Sequence, residues 1–105
     1  PDHADAHVNL GRLLHEAGHP EAAQIHYRLA LAARPEDSTA AFNLGVALED
    51  LLRREEAISA YEKAIEIDPT NADAPYNLAR LHEQTGRSEA AIRHLLVYRQ
   101  LTKKR

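Results

Sequence analysis

The chain of 105 residues contains no cysteine, no methionine and no tryptophan, and a single phenylalanine. Without cysteine there is no disulfide, no thiolate nucleophile and no cysteine-based zinc or iron–sulfur centre. That absence suits reduced and oxidised compartments alike, and the cytoplasm is the working expectation. Four glycines and five prolines are too few for a loop-rich or low-complexity chain. No apolar run reaches the roughly 18 residues that a membrane-spanning helix needs. Cationic charge is not in excess: 13 Lys and Arg against 16 Asp and Glu leave a net charge of −3, a poor match for a nucleic-acid backbone. There is no glycine-rich phosphate loop, and the only serines are Ser38, Ser59 and Ser88. Neither catalytic machinery nor a cofactor is expected. The opening at Pro1, with no initiator methionine, reads as a processed or excised piece.

What is present favours helix. Apolar residues make up 44% and charged residues 28%, and alanine and leucine, both strong helix formers, are the commonest types. No segment alternates with period two for long enough to read as a strand.

The dominant signal is a repeat. Asn-Leu occurs at Asn9-Leu10, Asn43-Leu44 and Asn77-Leu78, and the same spacing links Ala6, Ala40 and Ala74. It also links Glu21, Glu55 and Glu89, and Ala23, Ala57 and Ala91. Three repeats therefore follow without gaps, over 4–37, 38–71 and 72–105, and the whole of 1–105 reads as one domain. Pro1-Asp2-His3 falls in register with Pro35-Glu36-Asp37 and Pro69-Thr70-Asn71, which reads as the remnant of an upstream repeat.

Each repeat reads as two helices. In the second, Ala40, Ala41, Leu44, Ala47, Leu48 and Leu51 recur at helical spacing, followed by Ala57, Ile58, Tyr61, Ala64 and Ile65. Asp68-Pro69-Thr70-Asn71 ends that helix and caps the next. Gly18 and Gly86 supply tight turns between the helices of the first and third repeats. Leu52 stands at the matching place in the second, where a left-handed turn would cost it roughly 1 kcal/mol more than glycine.

The first repeat carries Leu10, Gly11, Ala23, Tyr27, Ala30 and Pro35, and the second Leu44, Gly45, Ala57, Tyr61, Ala64 and Pro69. The third carries Leu78, Ala79 and Ala91, then departs with Leu95, Tyr98 and Lys103. This pattern resembles the tetratricopeptide repeat (TPR) family over essentially the whole chain. The resemblance implies an all-α fold, a right-handed α-solenoid of three antiparallel helix pairs. The departures make the third repeat look terminal.

The resemblance also implies that the first helix of each pair lines a concave face. By register that face carries an apolar-to-aromatic line, Val8, Phe42 and Tyr76, beside a ladder of amides, Asn9, Asn43 and Asn77. Asparagine is a poor residue inside a helix, and an amide offers donors and an acceptor to an extended peptide backbone. The same ladder also suits packing between pairs, and both readings stay open. The face holds Asp5, Glu16, Glu49, Asp50, Asp73 and Glu83 against Arg12 and Arg80, which favours neutral to mildly basic segments. Some relatives grip a C-terminal carboxylate through two lysines, two asparagines and an arginine. The matching positions hold Val8, Arg12, Asn43, Asp73 and Asn77, and only Asn43 agrees, so such a clamp is not expected.

The seven histidines suggest no metal centre. His3 and His7 lie four apart, as do His15 and His19, but neither pair falls on one uninterrupted helix face, and no third ligand is set by spacing. His7 and His82 occupy core positions of the family, while His26 and His94 read as surface repeats of one another.

These features point to a non-catalytic protein- or peptide-binding scaffold. Three alternatives remain. The amide ladder also resembles the superhelical arm of protein O-linked N-acetylglucosamine transferases, which would make this a recruitment arm of a larger enzyme. The ending Asn77-Leu78-Ala79-Arg80 through Tyr98-Arg99-Gln100-Leu101-Thr102 looks like the tails of some bacterial mercury-resistance-type regulators. A purely architectural role, with weak end-to-end self-association, is the third.

Overall fold

Two stop signals in each repeat turn the 34-residue period into helices. The computed structural model describes residues 3–103, so Pro1 and Asp2 of the expected upstream remnant lie outside the described residues. The helices are α1 (Ala4–Glu16), α2 (Pro20–Ala33), α3 (Ser38–Asp50), α4 (Arg54–Ile67), α5 (Asp73–Gln84) and α6 (Ser88–Thr102). The stop inside each pair is a residue with positive φ: Gly18 at 88°, Leu52 at 60° and Gly86 at 77°. All three turns carry the same two backbone bonds. In the second, Leu52 N–H donates to Glu49 O and Arg53 N–H to Leu48 O, each at 2.9 Å, the Schellman pattern that satisfies orphan carbonyls at a helix end.

The stop between pairs uses side-chain caps. Asp37 accepts from Ala40 N–H at 3.0 Å. Asn71 Oδ1 accepts from Asp73 N–H at 2.9 Å and Ala74 N–H at 3.4 Å, as the sequence suggested. Among the described residues there is no strand, and no helix is long and apolar enough to cross a membrane.

Packing follows the chain. The two helices of each pair lie against each other, and α2 meets α3 as α4 meets α5. The result is an all-α solenoid of three helix pairs. Its core is small and alanine-rich, so helices approach closely, and Tyr27 and Tyr61 fill the space between them at 1% and 0% exposure. Each ring lies directly on a glycine. A β-carbon on Gly11 would come within 2.6 Å of Tyr27 Cε1, and one on Gly45 within 2.6 Å of Tyr61 Cε1. The third pair changes both partners together: Ala79 replaces the glycine and Leu95 replaces the tyrosine, so a smaller side chain makes room for the added methyl.

Burial is deepest in the middle. Leu44 and Leu48 are 5% and 1% exposed, whereas Leu10 and Leu13, on the uncovered side of α1, are 42% and 60% exposed. A helix pair has one apolar face more than it can bury alone, and its neighbours cover the remainder.

Two stability effects follow. Gly45→Ala is expected to cost about 2 kcal/mol, because overpacking against Tyr61 outweighs a helix-propensity gain of up to about 1 kcal/mol. Urea denaturation read by circular dichroism measures it, and a stabilised variant would refute the close approach. Leu52→Gly is expected to gain up to about 1 kcal/mol, since the side chain is largely exposed and its backbone is left-handed. A lower denaturation midpoint for that variant would show that Leu52 contributes more through contacts than it loses through strain.

Candidate functional site

The three copies of the inner-face pattern are not equivalent. Along the apolar line, Val8 is 7% exposed and packs with Ala4, Ala30 and Ala40, so it forms floor. Phe42 is half-buried, its ring tilted against Tyr61 with centroids 5.5 Å apart. Tyr76 is 47% exposed and leans on Tyr98 at 5.1 Å. The amide ladder runs the other way. Asn9 is exposed, while Asn43 and Asn77 are half-buried.

Asn77 is engaged within the fold. Its Nδ2 donates to Tyr61 Oη at 3.2 Å, and Tyr61 donates in turn to Glu49 Oε1 at 2.6 Å. Arg80 closes the group with two parallel bonds to Glu49, Nη1–Oε2 at 2.6 Å and Nη2–Oε1 at 2.9 Å. Helices α3, α4 and α5 are tied together at this point. Burial, and then the hydrogen bond to the Glu49 carboxylate, push the Tyr61 phenol far above its ordinary range, so it remains a donor. Bidentate pairing with Glu49 raises Arg80 still further. The three candidates Glu49, Asn77 and Arg80 therefore hold one another. The sequence shows each of them, but their union needs side chains from three helices, with Tyr61 of α4 between Glu49 of α3 and Asn77 of α5. Register offered one clue: Arg80 lies where one repeat's first helix passes Glu49 on the first helix of the repeat before.

Other inner-face charges are also paired. Arg34 Nη1 donates to Asp5 at 3.0 Å, and His15 contacts the Asp50 carboxylate between α1 and α3. Arg12 is exposed and borders a polar hollow of about 610 Å³ that also includes Asp5, Asn9 and Thr39. The open polar groups thus gather at the α1–α3 end, and the open aromatic group at α5.

A stack of helix pairs with one long face built from the first helix of each pair defines a repeat scaffold. Sequence profiles of the tetratricopeptide repeat match residues 53–104 and, in a second profile, residues 1–38 and 10–72. The chain belongs to the tetratricopeptide repeat family. No curated protein matches it in sequence. Among solved structures, a crystal structure of MamA superposes with a TM-score of 0.92 at 22% identity, covering 97% of this chain and 60% of that one. The Yersinia enterocolitica type III secretion chaperone SycD, in complex with a peptide of the translocator YopD, gives 0.94 at 19% identity over 100% and 80%. YrrB, described as a TPR protein with an unusual peptide-binding site, gives 0.88 at 25% identity over 97% and 53%. The chain thus spans three-fifths of that MamA chain and about half of the YrrB chain. Identities this low show the shared fold.

Away from the inner face, four histidines form two stacks. His7 and His26 lie with ring centroids 5.3 Å apart and Nδ1 atoms at 3.1 Å. His82 and His94 stack at 5.3 Å and 8°. His26 and His94, expected on the surface, are half-buried instead, because each is covered by the ring of its partner. His82 is 6% exposed, and its Nδ1 has no hydrogen-bond partner. It stands where the first two repeats have Leu14 and Leu48. Burial lowers both His82 and His94. Arg87 and Arg93 add to the lowering at His82, and His82 and Arg93 do so at His94, while Glu62 opposes it at both and Glu55 at His82. The folded state keeps these rings neutral below the ordinary value of 6.5, so the unfolded chain binds more protons as the pH falls. Their contribution to stability is full above about pH 6.5 and is lost below it. Thermal unfolding at about pH 7.5 and about pH 5 is expected to show this loss, and His82→Leu is expected to reduce it. An acid-side loss as large in His82→Leu as in the parent would refute the assignment.

Proposed function

We propose that the chain is a non-catalytic scaffold module that binds an extended protein segment along the face formed by α1, α3 and α5. The observation that carries this reading is the division of labour on that face. Glu49, Asn77 and Arg80 are engaged in holding three helices in place. Asn9, Arg12 and Tyr76 are exposed, with the half-buried Asn43 and Phe42 between them and Val8 as floor. A rigid platform with open amides and an aromatic anchor suits a peptide whose backbone meets the amides and whose side chain rests on Tyr76. SycD carries its YopD peptide on the same kind of scaffold.

Charge narrows the ligand. Once Asp5 and Glu49 are matched by Arg34 and Arg80, the face still has Glu16, Asp50, Asp73 and Glu83 against Arg12. A neutral to mildly basic segment fits that excess. A C-terminal carboxylate does not, since Asp73 stands where relatives with that specificity place a cation.

The test is selection of peptides from a display library on the immobilised chain, followed by titration of the best binder. Asn9→Ala with Asn43→Ala is expected to weaken it about tenfold, at roughly 1 kcal/mol or less per lost hydrogen bond, with little change in thermal stability. Tyr76→Ala is expected to weaken it further. Unchanged affinity in the triple variant would show that the ligand sits elsewhere.

A further inference from the structure

We propose that the inner face selects one residue of its ligand as a side-chain amide, glutamine or asparagine, in the polar hollow between α1 and α3. The inference rests on the peptide-binding reading and adds the chemistry of the residue that is selected. Both walls of the hollow, and the loop that closes it, belong to this chain. A repeat stacked before α1 or after α6 therefore does not occupy it.

The hollow exists because one position of the repeat changes size. The apolar line runs Val8, Phe42 and Tyr76. Phe42 reaches across its place on the face and rests its ring against Tyr61. Val8, one repeat earlier, stops short: it is 7% exposed and packs with Ala4, Ala30 and Ala40. Above it lies the space of about 610 Å³, between α1 and the start of α3. The walls change as well. Glu36 and Asp37 stand in the loop where the next junction has Thr70 and Asn71, and Arg12 stands where α3 has Val46. A short floor and charged walls occur together at the first junction.

Most of those charges are already matched. Arg34 donates from Nη1 to Asp5 at 3.0 Å and lies 3.8 Å from Asp37. Asp37 also caps α3 through Ala40 N–H. A ligand is left with one cation, Arg12, one carboxylate, Glu36, the Asn9 amide and the Thr39 hydroxyl. Among the described residues neither Arg12 nor Glu36 belongs to an ion pair. A cationic side chain would meet Glu36 but be opposed by Arg12, and an anionic one would meet Arg12 but be opposed by Glu36 and Asp37. A neutral amide is opposed by neither. It carries two donor hydrogens and an acceptor oxygen, so it can answer both the carboxylate and the guanidinium. An apolar side chain would strip water from these groups and return no hydrogen bond. The hollow thus selects by rejecting charge as well as by bonding. Side chains at i and i+2 of an extended segment point the same way, so an amide seated here also sets which ligand residues face Phe42 and Tyr76.

The test uses the 105-residue chain and peptides selected on it from a random nonapeptide display library. Glutamine or asparagine is expected to be enriched at one position of the aligned binders. In the tightest binder, synthesised, replacing that residue by leucine, by glutamate or by lysine is expected to weaken binding about tenfold each time, the equivalent of one or two hydrogen bonds. The difference between the amide and leucine peptides is expected to vanish in Val8→Phe, which puts the ring of the second repeat into the hollow. It is expected to shrink in Thr39→Leu, at an exposed rim position that leaves the floor intact. Circular dichroism establishes that both variants are folded. Binders with no amide enrichment overturn this inference and leave the peptide-binding reading standing. So does a glutamate or lysine replacement that binds more tightly, or an amide preference unchanged in Thr39→Leu and Val8→Phe. A library that yields no binder overturns both.

Discussion

Tyr61 connects nearly everything in this molecule. Its ring rests on the bare backbone of Gly45 and sets the distance between α3 and α4. One face meets Phe42, so the same ring supports the middle of the inner surface. Its hydroxyl, in the half-polar margin between pairs, joins Glu49 to Asn77. Glu49 then accepts both arms of Arg80 from the next pair. One side chain therefore fixes the spacing within a pair, the attachment of the following pair, and the rigidity of the candidate binding face.

The consequence is an uneven face. Among the described residues, the first junction has no equivalent network. Val46 stands in the register of Arg80, and His15, in the register of Glu49, turns to Asp50 instead. Polar groups at that end remain available, and a hollow opens beside Asn9 and Arg12. The second junction is stiff and its amide is committed. A ligand crossing the face would meet adaptable hydrogen-bonding groups over α1 and α3, and a firm aromatic edge at Tyr76. Rigid support behind open contacts lowers the ordering cost of binding.

Burial follows the junctions: Leu44 and Leu78, where neighbouring pairs meet, are 5% and 0% exposed, while Leu10 is 42% exposed. The histidine stacks add a different constraint: His82 occupies a leucine's place at little packing cost while neutral, and becomes a liability once it must carry charge without a partner for its Nδ1.

By itself, the sequence determined the period, the number of helices, the turns at Gly18 and Gly86, the cap at Asn71, and the face on which Asn9, Asn43 and Asn77 lie. These follow from local rules: helical spacing of apolar residues, proline and glycine stops, and a register that repeats. It also showed that Leu52 was an anomaly, and the turn keeps its left-handed form with leucine in it because the two Schellman bonds hold it there. What only the tertiary structure decided is which equivalent residues have equivalent surroundings. Val8 became floor and Tyr76 an exposed edge because α2 and α3 close over one, while Tyr98 is the other's main neighbour. Asn77 was committed because Glu49 and Arg80 gather with Tyr61 around it, whereas at the first junction Tyr27 is present but His15 and Val46 stand in the registers of Glu49 and Arg80. His26 and His94 were drawn inward by His7 and His82, nineteen and twelve residues away in sequence. Repetition makes positions identical along the chain, but the environment of each depends on the side chains that neighbouring helices bring to it, and those differ at every junction.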